Sequence, residues 1–482
     1  MSELGFLPAT RLAALVRRGT VGCVELLDHF IARVERLDPQ LNAVVVRDFE
    51  RARKVARALD RKRGTAGGGP LYGVPMTVKE SFDVAGLPTT WGNLERRNHA
   101  AEADALAVQR LKDAGAVVFG KTNIPVNLAD WQSFNPVYGS TNNPWDLGHT
   151  PGGSSGGGAA AVAAGISGLE IGSDIGGSVR VPAHYCGLFG HKPTWGLCPM
   201  RGHSVANAAS MTDISVIGPI ARSADDLSLV LDLIGQPDPA ETALRVKLPA
   251  PRVRTIDGLR VAVWASEPSQ PTDAETTAQI EALARTLRRE GAKVSTNARP
   301  AFDPVEAFHV YLRVLHAALS GRAPDAALAR MREGAARRKP DDMSADAIMV
   351  RGVDMTHRDW LRLNERRFQI RRAWSAFFQD WDVLLCPVIA TPALPHMQQG
   401  ETWERKIEIN GQAYPYNEML FWPGVTCAYH LPASVAPIGV SRAGLPIGVQ
   451  IVGPLYGDRT TIQVAKLLEK VSRGFVPPEG WA

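Results

Sequence analysis

Cysteine is scarce in this chain. Its five cysteines, Cys23, Cys186, Cys198, Cys386 and Cys427, are odd in number, far apart and without a C-x-x-C pair. That pattern argues against a disulfide framework or a zinc site and points to reduced thiols in a cytoplasmic protein. Long apolar runs are missing as well: no stretch of about 18 apolar residues offers a membrane span. The N-terminus reaches Arg11, Arg17 and Arg18 without the apolar segment of a secretory signal. Nor is charge of one sign concentrated. The net charge is +5 on 482 residues and the arginines are scattered, so no nucleic-acid partner is expected. What remains is 45% apolar and 21% charged, the composition of a globular protein with an ample core.

Strand and helix patterns alternate along the chain without an internal repeat. Leu26, Leu27, Phe30, Ile31, Val34 and Leu37 mark one face of a helix that Asp38-Pro39 is expected to end, within a helical first sixty residues. A glycine-rich break at 64–69 leads to a short strand, Met76 to Val78, with Lys79 at its end; one lysine there reads, by itself, as a solvated charge. Asp104 to Ala114 predicts a helix and Ala116 to Phe119 a buried strand. Thr272 with Glu275 predicts a capping box opening a helix that Gly291 closes. Residues 303–380 read as a helical, arginine-rich cover over one end of the sheet, with solvated charge. The alternation implies one α/β domain over 1–482, its mixed, largely parallel sheet covered by helices on both faces.

Two motifs suggest chemistry that their context denies. Gly115 to Thr122 matches G-x-x-x-x-G-K-T, yet its variable positions, Ala, Val, Val and Phe, form the strand and not a loop around phosphates. Gly152 to Gly156 matches G-x-S-x-G, but the nucleophile elbow needs a strand before it, and Asn142 to Pro151 cannot be one. The densest cluster of hydroxyls and glycines, Gly152 to Arg180, encloses an alanine-rich segment, Ala159 to Gly168, suited to a buried helix and not to a flexible linker. Within it, Asp174-Ile175-Gly176-Gly177-Ser178 offers a serine on a Gly-Gly turn whose N–H groups can converge on an oxyanion. Lys79 is the candidate base, since Ser-Lys arrangements are a known variant of the serine triad. Ser154 and Ser155, read alone, are helix caps for Gly156 onward, while Asp174 and Arg180 brace the turn.

These residues resemble the amidase signature family. The resemblance runs from about residue 8 to 471 and rests on G-V-P-x-x-V-K-E at Gly73 to Glu80, G-K-T-N at Gly120 to Asn123 and N-P-W-D at Asn143 to Asp146. G-G-S-S-G-G at Gly152 to Gly157, D-I-G-G-S-V-R at Asp174 to Arg180, K-P-T-x-G at Lys192 to Gly196 and G-L-P-I-G-V-Q at Gly444 to Gln450 complete it. The serine spacing, 178 − 154 = 24, is that of the family. The resemblance implies Ser178 as nucleophile, Ser154 as bridging serine after a cis peptide, Lys79 as base, and the N–H groups of Ile175, Gly176, Gly177 and Ser178 as oxyanion hole. It also implies an acyl pocket lined by Asn127, Leu128, Ala129, Asp130 and Trp131, no metal or cofactor, and a monomer or homodimer acting on a small amide. Trp131, Phe134, Trp195, Phe421, Trp422 and Tyr429 are candidates to make that pocket aromatic, which favours aryl or alkyl amides, with carbamates or esters open to the same acyl chemistry. The glutaminase-like subunit of a tRNA-dependent amidotransferase and an inactive ligand-binding scaffold stay open as alternatives.

Overall fold

The structure, a computed structural model, describes residues 2–62, 68–204, 208–321, 323 and 325–481; residues 64–67 of the glycine-rich break lie outside these. Helix α1 (Ala9–Arg17) is followed by α2 (Cys23–Leu41), β1 (Val44–Arg47) and α3 (Phe49–Lys62). The first sixty residues are thus not wholly helical, because β1 pairs antiparallel with a later strand. Pro39 does not end α2. It sits in the last turn, where its missing N–H costs one hydrogen bond, and the chain turns at Asn42, which takes a left-handed φ of 55°.

Helix α1 has no cap of its own, since Pro8 precedes it. Its free N–H groups are met from far along the chain. Asp226, in the first turn of a later helix, accepts from Ala9 N and Thr10 N at 2.9 Å each. Asp226→Ala is expected to cost about 1–3 kcal/mol by leaving these donors unpaired, read as a lower urea midpoint; an unchanged midpoint would refute the assignment.

Strands β2 (Pro75–Lys79) and β3 (Val117–Thr122), with α4 (Leu106–Asp113) between them, join β1 in a three-stranded sheet of order β1-β3-β2. Because β3 runs through Gly120-Lys121-Thr122, the phosphate-loop reading fails on structure: those residues are ladder, not loop. A two-strand ribbon, β4 (Phe134–Asn135) and β5 (Gly139–Ser140), precedes α5 (Gly156–Ala163). That helix begins and ends earlier than its alanines suggest. Glycine is a poor helix former, but Gly157 lets α5 press onto the chain after β3, where a Cβ would stand 2.4 Å from Asn123 N.

The large sheet is built from β6 (Glu170–Asp174), β7 (Phe189–Lys192), β8 (Val216–Ala221), β9 (Arg260–Val263), β10 (Lys293–Ser295), β11 (Val383–Pro387), β14 (Ala433–Val440) and β15 (Pro446–Val452); β12 (Lys406–Ile409) and β13 (Gln412–Pro415) form a separate hairpin. Its order is β10-β9-β11-β15-β14-β7-β8-β6. The sheet is mixed, as expected, but its parallel share is small: only β10 with β9 and β9 with β11 run parallel, and the other five junctions are antiparallel. Side chains alternate between two cores. Val261, Val263 and Leu385 join α7 (Ala224–Ile234), α8 (Ala274–Arg289) and α14 (Asp458–Leu468) on one face. Ala262, Leu384 and Cys386 join α6 (Arg180–Tyr185), α9 (Pro304–Ser320), α12 (His357–Asp380) and α13 (Phe421–Cys427) on the other. The remaining helices, α10 (Asp325–Ala336) and α11 (Ala345–Val350), lie between α9 and α12 in the chain.

Helix α8 is capped by Asp273, whose carboxylate accepts from Glu275 N and Thr276 N, and not by Thr272. The Thr272 hydroxyl is occupied elsewhere, accepting from Trp422 Nε1 at 3.0 Å.

Candidate active site

Lys79 ends β2 completely buried, so the solvated-charge reading of this lysine does not hold. Its Nζ donates to Ser154 Oγ at 2.7 Å and to Ser173 Oγ at 3.0 Å. Burial lowers its pKa from 10.5 to about 7, against the pull of the Asp174 carboxylate and of Glu170 wherever that group is ionised. Ser154 follows a cis Gly153–Ser154 peptide. Next in the chain, Ser155 N donates to Ser178 O at 3.1 Å, which ties the two serine clusters together.

The turn that carries Ser178 is fixed by a buried ion pair. Arg180 Nη2 lies 2.8 Å from Asp174 Oδ1, with both side chains wholly buried. Burial pushes the Asp174 carboxyl up, but the charge and hydrogen bonds of Arg180, with Lys192, outweigh it and hold the group well below the usual carboxylate range. The carboxylate accepts from Gly177 N at 2.8 Å and from Val179 N at 3.1 Å. Gly177 takes a φ of +100°, open to glycine and strained for other residues. Turn carbonyls point outward: Ile175 O accepts from Tyr311 Oη and Gly176 O from Trp131 Nε1. One of the four expected oxyanion donors, the N–H of Gly177, is therefore committed to Asp174. Those of Ile175, Gly176 and Ser178 have no acceptor among the described residues.

Ser178 lines a cavity of about 230 Å³. Leu128, Ala129, Asp130 and Trp131 line it too, whereas Asn127 does not; its Oδ1 accepts from Asn93 Nδ2 at an exposed position. The aromatic wall differs from the expected one. Trp131 is joined by Trp403 and Tyr416, while Phe421 and Tyr429 line a separate void of about 10 Å³ and Trp195 stacks on His430. Helix α9 contributes Leu315 and His316, and Met331 and Met349 come from α10 and α11. No local motif marks these residues; amphipathic spacing alone places them in helices. Asp130 is closed off by Arg405 at 2.6 Å and by the Tyr416 hydroxyl at 2.8 Å.

Ser155 stands at the N-cap of α5 but makes no capping bond. The Ser133 hydroxyl caps instead, accepting from Gly156 N at 3.0 Å. Among the described residues, no three His, Cys, Asp or Glu side chains group to hold a metal.

A family model for amidases matches residues 25–462. The chain belongs to the amidase family. An acylamidase of Rhodococcus erythropolis is 33% identical, over 97% of this chain and 96% of its own. A glutamyl-tRNA(Gln) amidotransferase subunit from Synechococcus is also 33% identical, over 95% and 94%. Among solved structures, a bacterial aryl acylamidase of the amidase signature family superposes with a TM-score of 0.82 at 25% identity, covering 98% of this chain and 99% of that one. No helix among the described residues is long and apolar enough to cross a membrane. This amidase is therefore of a family that hydrolyses amides, and the acylamidase and the amidotransferase subunit match it at the same identity.

Proposed function

We propose that the protein hydrolyses uncharged aryl or alkyl carboxylic amides through an acyl-enzyme on Ser178, within a single amidase domain. The observation that carries this is the buried Lys79 amine, bonded to Ser154 Oγ beside a largely apolar cavity that Ser178 lines. Neutral Lys79 takes a proton from Ser154, which takes one from Ser178 as Ser178 Oγ attacks the amide carbonyl. The developing oxyanion is met by the N–H groups of Ile175, Gly176 and Ser178, and Gly177 joins only by leaving Asp174. The relay then runs backward and protonates the leaving nitrogen, without which an amine does not depart. Water enters by the same route and releases the acid. Carbamates and esters present the same carbonyl to the same groups.

The cavity favours acylamide over glutamine. A free amino acid brings an ammonium and a carboxylate, and each needs an unpaired opposite charge. Asp130 is already paired with Arg405, whose other N–H groups go to the carbonyls of Gln399 and Gly400. His316 is kept neutral, burial lowering its pKa to about 4. Among the described lining residues no charge is left over.

Intact mass after exposure to a fluorophosphonate tests the assignment. One adduct is expected on the wild type and none on Ser178→Ala, followed by turnover of anilides and short alkyl amides in preference to glutamine. Equal labelling of both proteins would discard Ser178, and glutamine turnover without anilide turnover would favour the glutaminase reading. Labelling of neither, with a control hydrolase labelled, would favour an inactive scaffold.

A further inference from the structure

Glu170 is a fully buried carboxyl group that the proposed reaction does not use. It lies in β6, four residues before Asp174, and no cation bonds to it among the described residues. Its two oxygens meet the strands of the small sheet instead. Thr77 Oγ1 lies 2.5 Å from Glu170 Oε2, and Thr122 Oγ1 lies 3.2 Å from Oε1. Thr122 is the register partner of Lys79, and Thr77 stands two residues before Lys79 on the same strand face. From α5 the carboxyl is met by Gly158, where a Cβ would stand 2.3 Å from Glu170 Cγ.

The hydrogens available to this carboxyl and its neighbours can be counted. Thr77 Oγ1 is also 2.9 Å from Ser167 Oγ, and Ser167 Oγ is 2.8 Å from the carbonyl oxygen of Leu169. Three close oxygen–oxygen contacts thus run in a chain from Leu169 O through Ser167 and Thr77 to Glu170. Each needs one hydrogen, and the two hydroxyls supply only two. The Leu169 carbonyl has none to give, so Ser167 donates to it. Ser167 Oγ then accepts, from Thr77 N at 3.1 Å and from the Thr77 hydroxyl. With the Thr77 hydrogen spent, the third contact takes its hydrogen from the carboxyl.

We propose that Glu170 is held in the fold as a neutral carboxylic acid donating to Thr77, and that its neutrality denies Lys79 a second anion beside the Arg180-paired Asp174 and so helps to keep it an amine. The second clause rests on the function proposed above. Glu170 is on this reading a positioning residue, acting through Lys79 without touching substrate. The charges around it allow this. Lys79 faces it from β2, and Asp174 of its own strand is paired with Arg180. Arg222 donates to the carbonyls of Ser167 and Gly168. Lys121 of β3 reaches the other way, to Thr89. Helix α5 and strand β8 carry no titratable side chain. Burial raises the Glu170 carboxyl to about 8, the direction the hydrogen count requires.

Two measurements need no substrate, so they stand whether or not the proposed reaction does. In the infrared difference between wild type and Glu170→Gln near pH 6.5, the carbonyl stretch of a protonated carboxylic acid is expected; carboxylate bands in its place would overturn the proposal. Urea unfolding of the same pair across pH 5 to 8 gives the second. A carboxyl neutral when folded and ionised when unfolded binds more protons in the fold, so wild type should lose stability relative to Glu170→Gln as pH rises. Parallel curves would overturn it. Should Glu170→Gln not fold, Thr77→Val serves: the acid band should persist and move upward in frequency, while a carboxylate band would refute the assignment. With a substrate in hand, Glu170→Gln should keep the acid limb of kcat/KM within roughly 0.3 pH unit of wild type. A move to lower pH by about one unit or more would show that an ionised Glu170 had been holding Lys79 charged.

Discussion

Lys79→Met is expected to abolish turnover and to stabilise the fold at once. In the proposed relay nothing takes the Ser154 proton once the amine is gone, and loss of a general base lowers kcat by roughly 10²–10⁴-fold or more. Stability moves the other way because the native protein holds an ionisable group where it is poorly solvated. Lowering the Lys79 pKa from 10.5 to about 7 corresponds to about 5 kcal/mol. Part of that gain is given back when Ser154 and Ser173 lose their donor, leaving a net increase on the order of 2–4 kcal/mol near pH 7. The sign has a signature in pH. Below about 7 the lysine is charged in both states and its full cost stands; as pH rises toward 10.5 the folded amine is neutral while the unfolded one is still protonated. Wild type should therefore recover stability relative to Lys79→Met over that window. Urea unfolding at pH 7 and pH 9.5 measures it, and a Lys79→Met protein less stable than wild type at both would contradict the burial argument. As the proposed base, Lys79 is expected to set the acid limb of wild-type kcat/KM, which should rise with pH through about 7 and then level off.

Arg180→Met is expected to be among the most damaging single changes outside the reacting groups. The Arg180 guanidinium donates to Asp174, to Pro423 O, to Thr426 Oγ1 and to Gln450 Oε1, all out of water. Removing it strands a buried carboxylate, a loss of about 3–5 kcal/mol. The loss reaches the proposed chemistry, because Asp174 holds Gly177 N and Val179 N on either side of Ser178. Variant protein that still folds should show kcat reduced more than KM is raised. Replacing both partners removes the stranded charge, so Asp174→Asn with Arg180→Met should be less destabilised than Arg180→Met alone. Additive losses would mean that the two side chains do not act as a pair.

Much of the site is legible in the sequence because turn chemistry is local. Asp174 to Ser178 needs a glycine at the position where φ reaches +100°, and the residue types announce the turn. Helices and strands with clear periods fall within a few residues of their predicted places, as for β2 at Pro75–Lys79 and α4 at Leu106–Asp113. Local signals mislead where tertiary demand outbids them. Thr272 gives up its cap for Trp422, Ser155 leaves its cap to Ser133, and three glycines enter α5 because only they permit its close approach.

The sequence by itself determined the cluster proposed to react, the family resemblance and the α/β class, since these rest on residue identity and short-range spacing. Tertiary structure alone decided the antiparallel majority of the large sheet, the cavity wall drawn from α9 to Tyr416, and the charge states of Lys79 and Glu170. Whether a side chain keeps its proton depends on the water and partners around it, and those come from residues tens to hundreds of positions away.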